Sequence, residues 1–248
     1  GKLTRLDSIW FNIGDSNLQQ LTIANQRESV LKKGDAFAKA PISAELDRLV
    51  ELYRNNGYLR FGREELIGLW DTLDVSLLQP TLDPFEQIRI LEKLAERRNN
   101  PKANLEIRLK PGFDSTKLVK YYIGRVNIYP DSTGEAPGRK RDSVMVAPEM
   151  WVIQSRNKFK PKIFPINIYL KHDTLYSNRR YQRTINRLTG IGTWRVINIP
   201  SYPRPGQDTV DFNVVLTPAD KYLLTLNLEA SQNQSAIAGN LIGLGTNF

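Results

Sequence analysis

The chain has 248 residues, of which 40% are hydrophobic and 25% charged, the balance of a folded protein with one large or two ordinary domains. It has no cysteine and a single histidine, His172, which excludes disulfide frameworks, thiolate metal sites, cysteine nucleophiles and multi-histidine metal centres. A formal net charge of +9 favours polyanionic partners, such as nucleic acid or an anionic lipid surface, and reads equally as a solubilising surface. No run reaches the roughly 20 apolar residues of a membrane-spanning helix. The chain opens at Gly1 and stops at Phe248 inside a strand-like pattern, so it reads as a piece of a longer protein.

In chain order, Leu3–Ile13 is apolar and aromatic and ends at Gly14-Asp15, which predicts a strand. Asn17–Leu31 predicts a helix carrying Leu18, Leu21 and Val30. Ser43 is placed to cap the next helix, Ala44–Asn56, whose Leu46, Leu49, Val50 and Tyr53 share one face at i, i+3, i+4 and i+7. Asn55-Asn56-Gly57 ends it as a left-handed cap does, and Tyr58–Phe61 then reads as extended. Asp83-Pro84-Phe85-Glu86 is a helix start, and that helix runs to about Arg98 before Asn99-Asn100-Pro101. Ala103–Leu109 alternates apolar and polar residues, the pattern of a strand with one buried face. Pro111–Lys117 is a polar joint and the expected domain boundary.

Tyr121–Tyr129 opens the second half as a strand. Pro130–Asp142 is a loop, Val144–Gln154 a strand interrupted by Pro148, and Phe164–Leu170 a short helix. Ser177 caps a helix with the stripe Tyr181, Ile185 and Leu188, ended by Gly190 and Gly192. Thr193–Ile199 and Thr209–Leu216 are strands on either side of the turn Pro200–Gln207. Both halves therefore repeat one order: strand, helix, helix, strand, strand. In the tail, Leu224, Leu226 and Leu228 alternate with Thr225, Asn227 and Glu229. A polar turn at Ser231–Ser235 and the glycine-rich Ile237–Phe248 follow. This tail is either the start of a membrane β-barrel or an ordinary edge hairpin.

The repeated unit resembles the POTRA (polypeptide-transport-associated) domain. The resemblance rests on Lys33-Gly34-Asp35-Ala36-Phe37, the helix Ala44–Asn56, and Asn56-Gly57-Tyr58 in the first copy. In the second it rests on His172-Asp173-Thr174-Leu175-Tyr176, Arg183–Leu188 and Gly190–Trp194. His172 stands where that family favours glycine, which implies that this turn needs no positive φ. Glu229–Phe248 resembles the opening of the barrel in the BamA/TamA-like surface-antigen superfamily. The resemblance implies an α+β chain of tandem β-α-α-β-β domains with insertions, at 1–113 and 114–221, then the start of a truncated barrel at 222–248.

It further implies a periplasmic binding region in the outer membrane of a Gram-negative bacterium, with no enzymatic site and no cofactor. The implied partners are unfolded outer-membrane or secreted polypeptides and accessory assembly subunits, with the outer membrane reached through the barrel. An exposed strand edge receives an extended peptide by main-chain hydrogen bonds. In such folds the strand after the second helix is the usual edge, which here implies Tyr58, Leu59, Arg60 and Phe61 in the first copy. In the second it implies Thr193, Trp194, Arg195, Val196, Ile197, Asn198 and Ile199, with Trp194 and Val196 equally readable as core. Arg139, Lys140 and Arg141, with Arg180, Arg183 and Arg187 on the helix, form a candidate contact with anionic headgroups or an ordinary solvated face. The rival reading is a basic nucleic-acid-binding protein using Trp194, Tyr202 and the arginines.

Overall fold

The computed structural model describes residues 3–71, 84–132, 141–155, 158–219, 227–233 and 236–242. The chain divides into two compact units, Gly1–Tyr121 with Leu175–Asn178, and Tyr122–Thr174 with Arg179–Phe248.

In the first unit β1 (Arg5–Asn12), α1 (Ser16–Ala24), α2 (Lys39–Asn55), β2 (Leu66–Asp71), α3 (Pro84–Asn99) and β3 (Lys102–Leu109) follow in order. The sheet runs β1-β3-β2, with β1 parallel and β2 antiparallel to β3. Alternation along β3 buries Ala103, Leu105 and Ile107 on one face. Leu105 and Ile107 meet Leu46, Leu49, Val50 and Tyr53 of α2, with Leu6 and Leu18, in a single core.

Two local expectations shift here. The first helix ends at Ala24, followed by a 3-10 turn at Gln26–Glu28, and Val30 is exposed beyond it. The Asp15 carboxylate caps this helix by accepting from the Leu18 N–H at 2.9 Å. The second helix starts at Lys39 and not near Ser43, because Pro41 sits in its first turn, where its missing N–H costs nothing. Gly57 ends it at φ +100°.

Tyr58–Phe61 is not a strand. The Tyr58 N–H donates to the Tyr53 carbonyl at 3.3 Å and the Phe61 N–H to the Tyr58 carbonyl at 3.1 Å, so the segment turns. Both Tyr58 and Phe61 are buried, and the Phe61 ring meets Tyr53 edge-on at 5.0 Å. Their β-forming side chains fill the core, and the strand that follows α2 is Leu66–Asp71.

In the second unit β4 (Tyr122–Tyr129), β5 (Asp142–Ala147), β6 (Met150–Gln154), α4 (Phe164–Asn167), α5 (Asn178–Gly190), β7 (Trp194–Asn198), β8 (Ser201–Pro203) and β9 (Thr209–Pro218) follow. The sheet order is β5-β6-β4-β9-β7, with β8 also on β9. Without the β5–β6 hairpin and β8, the order β4-β9-β7 repeats β1-β3-β2, again with the first strand parallel and the last antiparallel to the middle one. Val144–Gln154 is thus two strands, joined at Pro148-Glu149, with Glu149 at φ +50°. The helix expected over Phe164–Leu170 is one turn, Phe164–Asn167.

The repeat extends to individual hydrogen bonds. In the first unit Gly34 N–H donates to the Leu6 carbonyl (2.7 Å) and Leu6 N–H to the Asp35 carbonyl (2.8 Å). In the second, Asp173 N–H donates to the Ile123 carbonyl and Ile123 N–H to the Thr174 carbonyl, both at 2.9 Å. Gly34 has φ +92° and Asp173 φ +57°, so this turn does require a left-handed residue. Asp173, not His172, occupies the glycine position, and aspartate tolerates that region better than most side chains.

In the tail β10 (Asn227–Asn233) and β11 (Ala236–Ile242) pair antiparallel as a two-stranded sheet. Ser231 lies within β10 and not in a turn. Leu224, Thr225 and Leu226 fall outside the described residues, among which no sheet closes on itself. The architecture is α+β.

Candidate functional site

β2 ends the first sheet, and among the described residues no strand pairs with its outer side. The Lys110 N–H donates to the Glu65 carbonyl at 2.8 Å, which sets the phase of the antiparallel ladder. Ile67, Leu69 and Asp71, paired with Arg108, Glu106 and Asn104, turn their main-chain groups toward β3. Those of Leu66, Gly68 and Trp70 then face outward. Arg63 takes one of them, its Nη1 donating to the Leu66 carbonyl at 3.2 Å. The edge open to an incoming chain is therefore Gly68–Trp70. β2 has no bulge, so its edge is straight enough to extend.

A groove of about 460 Å³ runs beside this edge, between β2 and the first half of α2. Phe37, Ile42, Leu46, Leu66 and Trp70 make its walls apolar. Phe37 and Trp70 approach at 5.9 Å between ring centres, and Trp70 is 63% exposed. At Gly68 a side chain would sit 3.5 Å from Ile42 Cγ2 and 3.4 Å from Leu105 Cδ1, so glycine leaves the floor open. Lys39 and Arg63 supply positive charge, although Arg63 also pairs with Asp47 at 3.2 Å. Behind the strand, Lys117 pairs with Glu64 (3.1 Å) and with Glu65, which is nearly buried. Glu64's own main-chain hydrogen bond, and then Lys117, hold its carboxyl below the usual range.

β7 is the corresponding edge of the second unit. Trp194 is buried, its indole N–H donating to the Pro130 carbonyl at 3.1 Å, and Ile199 beyond the strand is buried too. Arg195, Val196 and Asn198 are exposed, Ile197 is half-buried, and Thr193 precedes the strand. The Ile199 carbonyl accepts from the Tyr181 hydroxyl at 3.2 Å. A register shift between Trp194 and Val196 kinks this edge, and Pro200 follows it closely. Such features blunt an edge.

Where described, the basic residues each have a local partner. Arg139 and Lys140 lie outside the described residues. Arg141 lies over the Tyr129 ring at 5.7 Å and Arg183 over Tyr169 at 4.2 Å. Arg180 donates to Thr174 Oγ1 (3.1 Å) and Arg187 to Asn167 Oδ1 (2.8 Å). Among the described residues no group of three or more metal-ligating side chains converges, and no helix is long and apolar enough to cross a membrane.

Sequence reasoning missed β2 itself. Leu66-Ile67-Gly68-Leu69-Trp70 is apolar without alternation, so it carries no period-2 signal.

No family model matches the sequence, and no curated protein matches it. Among solved structures it is similar to the N-terminal domain of Omp85 from Thermosynechococcus elongatus (10% identity, 88% of this chain, 68% of that one, TM-score 0.35). It is similar to POTRA domains 1–3 of Omp85 from Anabaena (11% identity, 88% and 67%, TM-score 0.34). It is also similar to BamA from Haemophilus ducreyi lacking POTRA domains 1–3 (12% identity, 95% and 33%, TM-score 0.44), about a third of whose length it spans. Each of the two units runs β-α-α-β-β around a sheet of its own, and POTRA domains of Omp85 and a BamA are among the solved structures to which the chain is similar.

Proposed function

We propose that the chain is the periplasmic polypeptide-binding region of an outer-membrane assembly or translocation factor. In this reading 1–113 and 114–221 are two POTRA-like modules, and 222–248 begins a barrel in the outer membrane. Client strands or accessory subunits add to the edge of β2 through Gly68 and Trp70 and lay alternate side chains in the groove against Phe37 and Ile42. The observation that carries this is a strand edge without a bulge, and without a strand partner among the described residues, directly beside an apolar groove. Main-chain pairing tolerates many sequences, as an assembly factor needs. The β7 edge, Trp194–Asn198, is a second and more restricted site because of its kink. Anionic headgroups have Arg141, Arg183 and Arg187 available at the surface, each already steadied by a neighbour.

The nucleic-acid reading loses its main aromatic, because Trp194 is buried. A photo-crosslinking residue at Trp70 in the full-length protein in cells tests the proposal. Adducts with unfolded outer-membrane or secreted polypeptides are expected, and a crosslinker that reacts only with water would contradict it.

A further inference from the structure

The first unit holds a second cavity, away from the groove, of about 430 Å³. It opens between two turns. One is Gly14-Asp15, with Gly14 at φ +80°. The other is Lys110-Pro111-Gly112-Phe113, closed by a 3.2 Å bond from the Phe113 N–H to the Lys110 carbonyl, with Gly112 at φ +73°. Proline followed by a left-handed glycine is the signature of a type II turn, so this wall is pre-formed. At Gly14 and Gly112 a side chain would meet nothing within 4 Å, so both turns border open space. Ile13, Leu109, Phe113 and Leu118 make the walls apolar.

Arg108 lines this cavity on β3. Its side chain makes no hydrogen bond or ion pair with the described residues, and its Nε is shielded from solvent with no partner. A shielded donor left unpaired is costly, and a guanidinium fork matches a carboxylate in a bidentate pair. Lys110 adds a second positive charge. The Asp15 carboxylate also lines the space, but one oxygen is spent on the Leu18 N–H. We propose that this cavity binds a carboxylate carried on a compact apolar body, with Arg108 gripping the carboxylate and Phe113 and Leu118 covering the apolar part. A free organic acid and the terminal carboxylate of a polypeptide share this chemistry.

N-acetyl-leucine, its amide and inorganic phosphate are titrated into the 15N-labelled chain, wild type and Arg108→Met. N-acetyl-leucine should shift the Gly14 and Gly112 amides of the wild type at millimolar concentration, and Arg108→Met should weaken this about tenfold or more. The unfolding temperature of Arg108→Met should match or exceed that of the wild type, because no bond is lost. A peptide that shifts the same amides with a free but not an amidated C-terminus assigns the site to chain ends. Response to N-acetyl-leucine but not to that peptide assigns it to free acids. Absence of shifts with N-acetyl-leucine, shifts that persist in Arg108→Met, or equal shifts with the amide or with phosphate would overturn the proposal.

Discussion

Glu45 and Thr184 hold equivalent buried positions in α2 and α5, and each ties down the loop that precedes its helix. Glu45 Oε2 accepts from the Val30 N–H at 2.9 Å, and Thr184 Oγ1 accepts from the Tyr169 N–H at 3.0 Å. Both side chains are fully buried. The Glu45 charge is balanced by Arg48, whose Nε and Nη2 reach its two oxygens at 3.0 and 2.7 Å. The Thr184 hydroxyl donates onward to the Arg180 carbonyl at 2.9 Å.

Glu45→Ala should therefore destabilise the first unit by about 3–5 kcal/mol, because it leaves Arg48 half-buried without its partner and the Val30 N–H unbonded. Thr184→Val should cost the second unit about 1–3 kcal/mol, since the group lost is a neutral hydroxyl and no charge is left unpaired. Urea unfolding read by amide signals of each unit separates the two losses.

Tyr53 makes the first unit sensitive to alkali. Burial is the main cause that pushes its hydroxyl up from 10.0 to about 12, against the opposing 2.6 Å bond with Thr22. Burial also raises Tyr58 to about 12. The unfolded phenols ionise near the ordinary value and the folded ones higher. Their contribution is whole below about pH 10 and is lost as the pH rises toward about 12. The urea midpoint should be flat up to that window and fall across it. Tyr53→Phe with Tyr58→Phe should flatten the fall, and an unchanged slope would contradict this account.

Gly124 is a close-approach position in β4. A methyl group there would strike the Asp211 carboxylate and come within 2.7 Å of Thr209 Cγ2. Asp211 accepts from the Arg125 N–H at 2.6 Å and from Arg204 Nε and Nη2, both at 2.9 Å. Burial works to raise its carboxyl, yet the Arg204 and Arg125 bonds prevail and hold it low. Gly124→Ala should displace Asp211 and cost about 1–3 kcal/mol. The matching readout is a rise of the Asp211 titration toward the ordinary carboxylate range by NMR.

What the sequence disclosed follows from which residues carry a period. On β9, Val210, Phe212, Val214 and Leu216 are all fully buried, as alternation predicts, and the stripe Leu46, Leu49, Val50 and Tyr53 packs as its spacing predicts. The repeat was legible for the same reason. The site was less so. Tyr58 and Phe61 have strand-forming side chains but are core residues held in a turn, and the strand nearby lacks alternation because Leu69 and Trp70 are apolar although exposed. Glu45 lies outside the apolar stripe of its helix, and only the fold reveals that it is buried with Arg48. The left-handed Asp173 was hidden because aspartate, unlike glycine, does not announce that conformation.

The edge of β2 is tested most directly by hydrogen exchange on the 15N-labelled chain with an extended peptide of alternating apolar residues. The Gly68 and Trp70 amides should become protected on binding, and Gly68→Pro, which removes an outward donor, should abolish that protection while the β7 amides stay as they were. Protection confined to Trp194–Asn198, or none at Gly68 and Trp70 at saturating peptide, would contradict the account.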